Sequence, residues 1–295
     1  MEKRTDITGY LLVAASAITF SLKGIIAKLI YANGLDPVTL LALRFSLALP
    51  LFWLTLYFYP SEKTGIKDLL ILAASGLLGL YGAALADFYG LRYIDASLER
   101  IILYSYPAMV VIWTTLFFKE RLSPKKIASI IMTYAGLMLA LKVLGGTVSV
   151  DMRTGALLVL CSALIYSFSY IITEAISKRV SGVKISTYTM TAATFAFLGT
   201  WRFETIPSGA GTWWLLVLLA VLCTYVPVLT IALGIKRIGA GRAAIVSFIG
   251  PVSTAILAYI ILGEKLDRMQ ITGMAVVLAG VFILSTEGKK KTPTG

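Results

Sequence analysis

The chain has 295 residues, 58% of them hydrophobic and only 14% charged, with a mean hydropathy of +0.85. A soluble domain carries roughly 45–50% apolar and about 25% charged residues, so composition excludes a soluble globular protein and points to a polytopic membrane protein. The net charge of +12 would suggest nucleic acid in a soluble chain. Here the cations sit in short loops, where they set orientation, and no nucleic-acid partner is expected.

No histidine occurs, and Cys161 and Cys223 both lie inside apolar runs. That removes zinc motifs, histidine triads and a disulfide framework; no metal or cofactor is expected.

A membrane-spanning helix takes about 20 apolar residues. In chain order such runs fall at 7–32, 37–59, 67–89, 95–118, 124–144, 154–177, 184–202, 212–235, 240–262 and 268–285. The first follows Met1-Glu2-Lys3-Arg4 but is too long for a signal peptide. Its Thr8-Gly9, Leu11-Leu12 and Ser16-Ala17 also return as Thr154-Gly155, Leu157-Leu158 and Ser162-Ala163. It therefore reads as an uncleaved span. Turn residues punctuate the rest: Asn33-Gly34, Pro60-Ser61, Ser123-Pro124, Gly145-Gly146 and Pro207-Ser208-Gly209. With the N-terminus in the cytoplasm, 17 Lys and Arg near helix ends lie inside and 7 outside. This bias predicts a cell-membrane protein with both termini cytoplasmic.

One pattern occurs twice. Gly90–Leu141 matches Gly234–Ser285 at an offset of 144, without a gap. Pro107 meets Pro251, Glu120-Arg121-Leu122 meets Glu264-Lys265-Leu266, and Ala135-Gly136 meets Ala279-Gly280. Duplicated halves in a membrane chain are typical of secondary transporters. The expected units are 1–146 and 147–295, of five spans each. An odd number of spans sends the second unit in from the opposite side, giving inverted repeats around a central cavity.

The paired hinges Lys119-Glu120-Arg121-Leu122 and Gly263-Glu264-Lys265-Leu266, each after a proline-bearing span and before a span ending in Ala-Gly, resemble the EamA family of the drug/metabolite transporter superfamily. The resemblance implies ten helices in two inverted repeats, moving amino acids, related metabolites or drugs, commonly outward. It does not name a substrate.

Charges inside spans carry the functional expectation, because each costs roughly 2.5–3.5 kcal/mol at mid-bilayer and needs a cavity or a partner. They are Lys23, Lys28, Arg44, Asp87, Glu99, Arg100 and Glu174. At ~1.5 Å per residue, Lys23 and Arg44 lie roughly 6–9 Å outward of the midplane, Glu99 and Arg100 about 9–11 Å, and Asp87 about 12 Å. Lys23, Arg44, Glu99 and Arg100 are expected to form one polar site suited to a substrate carboxylate or phosphate; a structural Arg44–Glu99 pair satisfies the same chemistry. Lys28 is expected to snorkel and Glu174 to pair with Lys178. The matched positions of Glu99 and Arg100 are Ala243 and Ala244, and that of Lys23 is Ser169, so the charge belongs to one half.

Tyr104 lies four residues after Arg100 and Tyr106 seven after Glu99; with Tyr81 they are expected to wall the pocket, simple packing being the alternative. Pro107 and Pro251 free the carbonyls of Leu103 and Ser247, as Pro50 and Pro227 free those of Ser46 and Cys223. Freed carbonyls in a bilayer must meet protein, water or ligand. Spans 4 and 9 are thus expected to be kinked gates, a static kink being the alternative. The small residues of span 3, Ser75 to Ala86, read as packing.

The function these features predict is a carrier for a small amphipathic metabolite. A coupled proton or counter-substrate, and a monomer or a dimer, stay open. An intramembrane enzyme lacks its usual nucleophile and base, and no two acids look suitably placed for a carboxylate pair. A channel lacks a filter-like loop.

Overall fold

The computed structural model describes residues 7–59, 64–118, 122–142, 149–177, 179–202, 206–238, 243 and 246–287; among them every element is helical and no strand occurs. The hinge at Glu120, Lys178, Ala244 and the tail Lys289–Lys291 lie outside the described residues. In chain order the helices are α1 (Ile7–Ala32), α2 (Pro37–Phe58), α3 (Ile66–Gly90), α4 in two pieces (Ala96–Leu103 and Tyr106–Phe118), α5 (Pro124–Ala140), α6 (Val150–Ser177), α7 (Gly182–Thr200), α8 (Ala210–Ala220, then a π-helical turn Val221–Tyr225, then Val226–Ile238), α9 (Ile249–Leu262) and α10 (Arg268–Glu287).

Local chemistry sets the helix starts. Asp36 accepts from the amides of Val38 and Thr39, with Pro37 in the first turn. Ser123 caps α5 and Ser181 caps α7 in the same way. A hydroxyl or carboxylate at this position satisfies amides that have no partner inside the helix. Ser149 accepts from the amide of Met152, and α6 therefore begins at Val150, four residues before the expected 154.

Among the described residues, seven helical stretches are long and apolar enough to cross a membrane: Ile7–Ala32, Pro37–Phe58, Ile66–Gly90, Ala96–Phe117, Val150–Ser177, Ala210–Ile235 and Arg268–Ser285. The chain is a multi-pass membrane protein. α5 and α9 are shorter, at 17 and 14 residues. α7 has the length, 19 residues, but is diluted by threonines. Thr187, Thr189, Thr191 and Thr194 each donate to the carbonyl four residues back. A hydroxyl satisfied by its own helix needs no water, so a hydropathy sum overstates the polarity of this helix.

Packing pairs elements from opposite halves. α1 runs against α8, α6 against α3, and α5 against α10. The contacts are reciprocal. A Cβ on Gly234 would meet Val13 and the carbonyl of Gly9; one on Gly90 would meet Val159 and the carbonyl of Gly155. A Cβ on Gly136 would lie 2.7 Å from the carbonyl oxygen of Gly273, and one on Gly280 3.0 Å from that of Ser129. Glycine is required at these crossings because backbones touch there. α3 carries a π-helical turn at Leu77–Gly82 and α8 one at Val221–Tyr225, again 144 residues apart.

Candidate functional site

α1, α2, α3 and α4 bring their charged side chains together in the interior. Lys23 is 4% exposed, Arg44 5%, Asp87 5%, Glu99 1% and Arg100 4%. Lys23 Nζ lies 2.5 Å from Asp87 Oδ2 and 3.0 Å from Glu99 Oε1. Asp87, expected farther out, is therefore a direct partner of Lys23. The depth estimate followed its backbone and ignored the reach of the lysine stem. The two carboxylates share one lysine, which corrects the expectation that no two acids come together.

Arg44 does not pair with Glu99. Its Nε donates to Thr224 Oγ1 at 2.7 Å and its Nη2 to the carbonyl of Cys223 at 3.2 Å. That carbonyl is the one freed by Pro227, so a buried guanidinium of α2 meets an orphan acceptor on α8. Across the molecule, the carbonyl of Ser247, freed by Pro251, accepts from the Tyr104 hydroxyl at 2.8 Å. α4 breaks at Tyr104-Ser105, just before Pro107, and the chain turns at Phe248, just before Pro251. Both expected interruptions are present.

Two phenylalanines that sequence reasoning passed over organise the cations. Phe88 has Arg44 Cζ 5.3 Å and Lys23 Nζ 5.5 Å from its centroid. Phe20 has Lys23 Nζ at 5.6 Å and Arg100 Cζ at 4.6 Å. Tyr104 takes Arg100 at 5.4 Å. The order is Arg44, Phe88, Lys23, Phe20, Arg100, Tyr104: cations alternating with rings. An aromatic face offers a dehydrated cation part of what water gave it, and the rings keep like charges apart. Phe20, one helical turn before Lys23, was legible as its i−3 neighbour; Phe88 follows Asp87 and carried no such signal. Asp87 had one: a span carboxylate needs a cation, and Lys23 and Arg44 were at hand.

Within the array, satisfaction is incomplete at two atoms. Arg100 Nε and Asp87 Oδ1 are buried with no hydrogen-bond partner. Among the described residues, neither Arg44 nor Arg100 forms an ion pair with a carboxylate.

The other expected residues divide. Tyr81 packs on Phe197 at 4.6 Å, and Phe197 stacks on Phe45 beneath Arg44, so Tyr81 backs the array from behind. Tyr106 contacts Tyr166 and Tyr170 at 5.2 and 6.1 Å, in a separate aromatic group. Lys28 does not simply snorkel; it pairs with Glu264 at 2.8 Å and Asp95 at 3.4 Å. Glu174 is exposed. An apolar groove of about 290 Å³, lined by Ile71, Phe117, Phe168, Ile172, Ile176 and Arg179 among others, shares no residue with the array. Among the described residues no cluster suited to a metal ion occurs.

The EamA-like transporter family model matches twice, over residues 7–142 and 153–286. The chain belongs to the EamA-like transporter family. An uncharacterized transporter of Bacillus subtilis, YcbK, is 30% identical, the match covering 99% of this chain and 96% of that one. A second relative, an uncharacterized transporter of Archaeoglobus fulgidus, is 24% identical over 94% of this chain and 97% of its own. A solved crystal structure superposes with a TM-score of 0.66 at 18% identity, covering 97% of this chain and all of that one, a likeness of fold. The protein is a membrane transporter.

Proposed function

We propose that the protein is a secondary carrier of the cell membrane. It moves a small amphipathic metabolite, an amino acid or a related organic anion or zwitterion, outward by alternating access. The moving parts in this reading are two inverted five-helix units, 1–146 and 147–295, ten spans in all with both termini cytoplasmic. The double family match and the reciprocal glycine crossings support that division.

The array carries the substrate reading. Three buried cations face two carboxylates, which leaves one positive charge, and Arg100 keeps an unused donor. An isolated buried charge is costly, and a substrate carboxylate would relieve it. Phe20 and Tyr104 supply the apolar wall that an amphipathic solute needs. The breaks before Pro107 and Pro251 meet at Tyr104 and Ser247, which suits them to gate the site between the units.

The test is a thermal-shift screen of purified protein against amino acids and organic anions, since a ligand that binds the folded state raises its stability. Flux of the hits follows in proteoliposomes. Arg100→Ala is expected to abolish both the shift and the flux while the melting temperature of the free protein stays near wild type. Wild-type flux in Arg100→Ala and in Arg44→Ala defeats the assignment. Uptake driven by an imposed pH gradient separates proton coupling from exchange or facilitated movement.

A further inference from the structure

Asp95 stands at the N-cap of α4 with extended backbone, φ −67° and ψ 148°, yet its carboxylate caps nothing. Aspartate at this position ordinarily accepts from the first free amides of its own helix. One of those amides, that of Ser97, is taken by a residue 167 positions away. Glu264 accepts from Ala96 N at 3.0 Å, Ser97 N at 3.2 Å and Ser97 Oγ at 3.3 Å, and its Oε1 lies 2.8 Å from Lys28 Nζ. Its side chain is 7% exposed against 49% for the displaced Asp95, which leans on Lys28 instead. Glu264 follows Gly263, whose left-handed φ of 71° reverses the chain at the end of α9. One carboxylate thus ties the end of α9 to the start of α4 and to Lys28 on α1.

Two carboxylates therefore compete for one helix start. We propose that Glu264 is an exchangeable cap that latches this side of the carrier: the side closes when Glu264 takes the first amides of α4, and opens when it hands that of Ser97 to Asp95. This rests on the alternating-access reading above. The exchange keeps the Ser97 amide paired in both states, so opening avoids the penalty of leaving that buried donor unsatisfied. Lys28 lies within reach of both carboxylates and stays between them through the exchange. The latch bears directly on the array, because Arg100 lies one turn beyond Ser97 on the same short helix and Glu99 two residues beyond it.

The experiment follows opening without any transported solute. In a Cys161→Ala background, a cysteine at Ala27, buried on α1 between Lys23 and Lys28, is labelled by a charged, water-soluble thiol reagent on the purified protein in detergent; Ile30→Cys is a second reporter should the first not fold. Glu264→Gln is expected to raise the labelling rate on the order of tenfold, the change that the loss of one charge-assisted hydrogen bond gives an opening equilibrium. Asp95→Ala is expected to slow labelling below wild type, because the open state loses its cap. The double variant is expected to lose more melting temperature than the two single changes together. An unchanged rate in Glu264→Gln, an unchanged rate in Asp95→Ala, or strictly additive melting shifts each overturns the latch. Such a result leaves the carrier reading standing, whereas absent flux in a protein that labels as expected removes the carrier reading alone.

Discussion

Lys23 and Ser169 occupy matched positions of the two halves, and their surroundings differ completely. Around Ser169 three hydroxyls suffice: Ser75 Oγ lies 3.0 Å from Ser169 Oγ and 2.9 Å from Thr173 Oγ1, and Ser169 also donates to the carbonyl of Ser75. This neutral knot joins α3 to α6. Around Lys23 the same kind of junction, α1 with α3 and α4, is made by a cation and two carboxylates. Hydroxyls are thus enough to hold such a crossing, and a buried ionic cluster is a poor route to stability. In the proposed carrier, the charge at Lys23 serves the substrate rather than the crossing.

The largest effect is expected at the charged junction. Lys23→Met leaves two buried carboxylates facing each other and should cost about 3–5 kcal/mol, read as a collapse in melting temperature and loss of flux. The triple variant Lys23→Met, Asp87→Asn, Glu99→Gln removes the charges together; it should regain most of the stability and none of the flux. Recovery of transport in the triple variant would make Lys23 as structural as Ser169.

The neutral junction should break by volume. A Cβ on Gly79 would lie 2.8 Å from Ser169 Cβ, so Gly79→Ala should destabilise by about 1–3 kcal/mol through overpacking. Ser169→Ala, which removes a hydroxyl and adds nothing, should cost only about 0.6 kcal/mol and leave flux unchanged, both read by thermal unfolding and liposome uptake. A large loss of flux in Ser169→Ala would mean that the two junctions share one task.

The smallest effect is expected outside both. Lys142 donates to Asp267, and with the amide of Gln270 this holds that carboxyl below its ordinary range. A carboxyl lowered by folding stabilises above its unfolded pKa, and the gain is lost as pH falls through the folded value. The pair is 36% and 42% exposed, so Asp267→Asn should cost less than about 1 kcal/mol at neutral pH and nothing once the carboxyl is protonated. Unfolding of both proteins across an acid titration checks the sign.

Proline chemistry was legible because it is local: the orphan carbonyls of Ser247 and Cys223 follow from Pro251 and Pro227 alone. Their partners, Tyr104 and Arg44, were not, since they come from 143 and 179 residues away. The charged set was readable as a set, because ions in apolar runs must find each other, but its pairing was not. Lys23 can reach either of two helices, and only packing decides that it reaches both. The caps at Asp36 and Ser123 announce themselves in the sequence, whereas the failure of Asp95 to cap α4 depends on a glutamate from the other half of the chain. The π-helical turns left no trace, because one surplus residue does not disturb an apolar run.

Those two turns also carry a chronology. Each is a single extra residue wound into a span, and they sit at corresponding places in the two halves. By parsimony the insertion was present before the two family-matched segments diverged. The lysine and its two acids have Ser169, Ile231 and Ala243 at the matching places of the other copy, which marks a divergence after the copying.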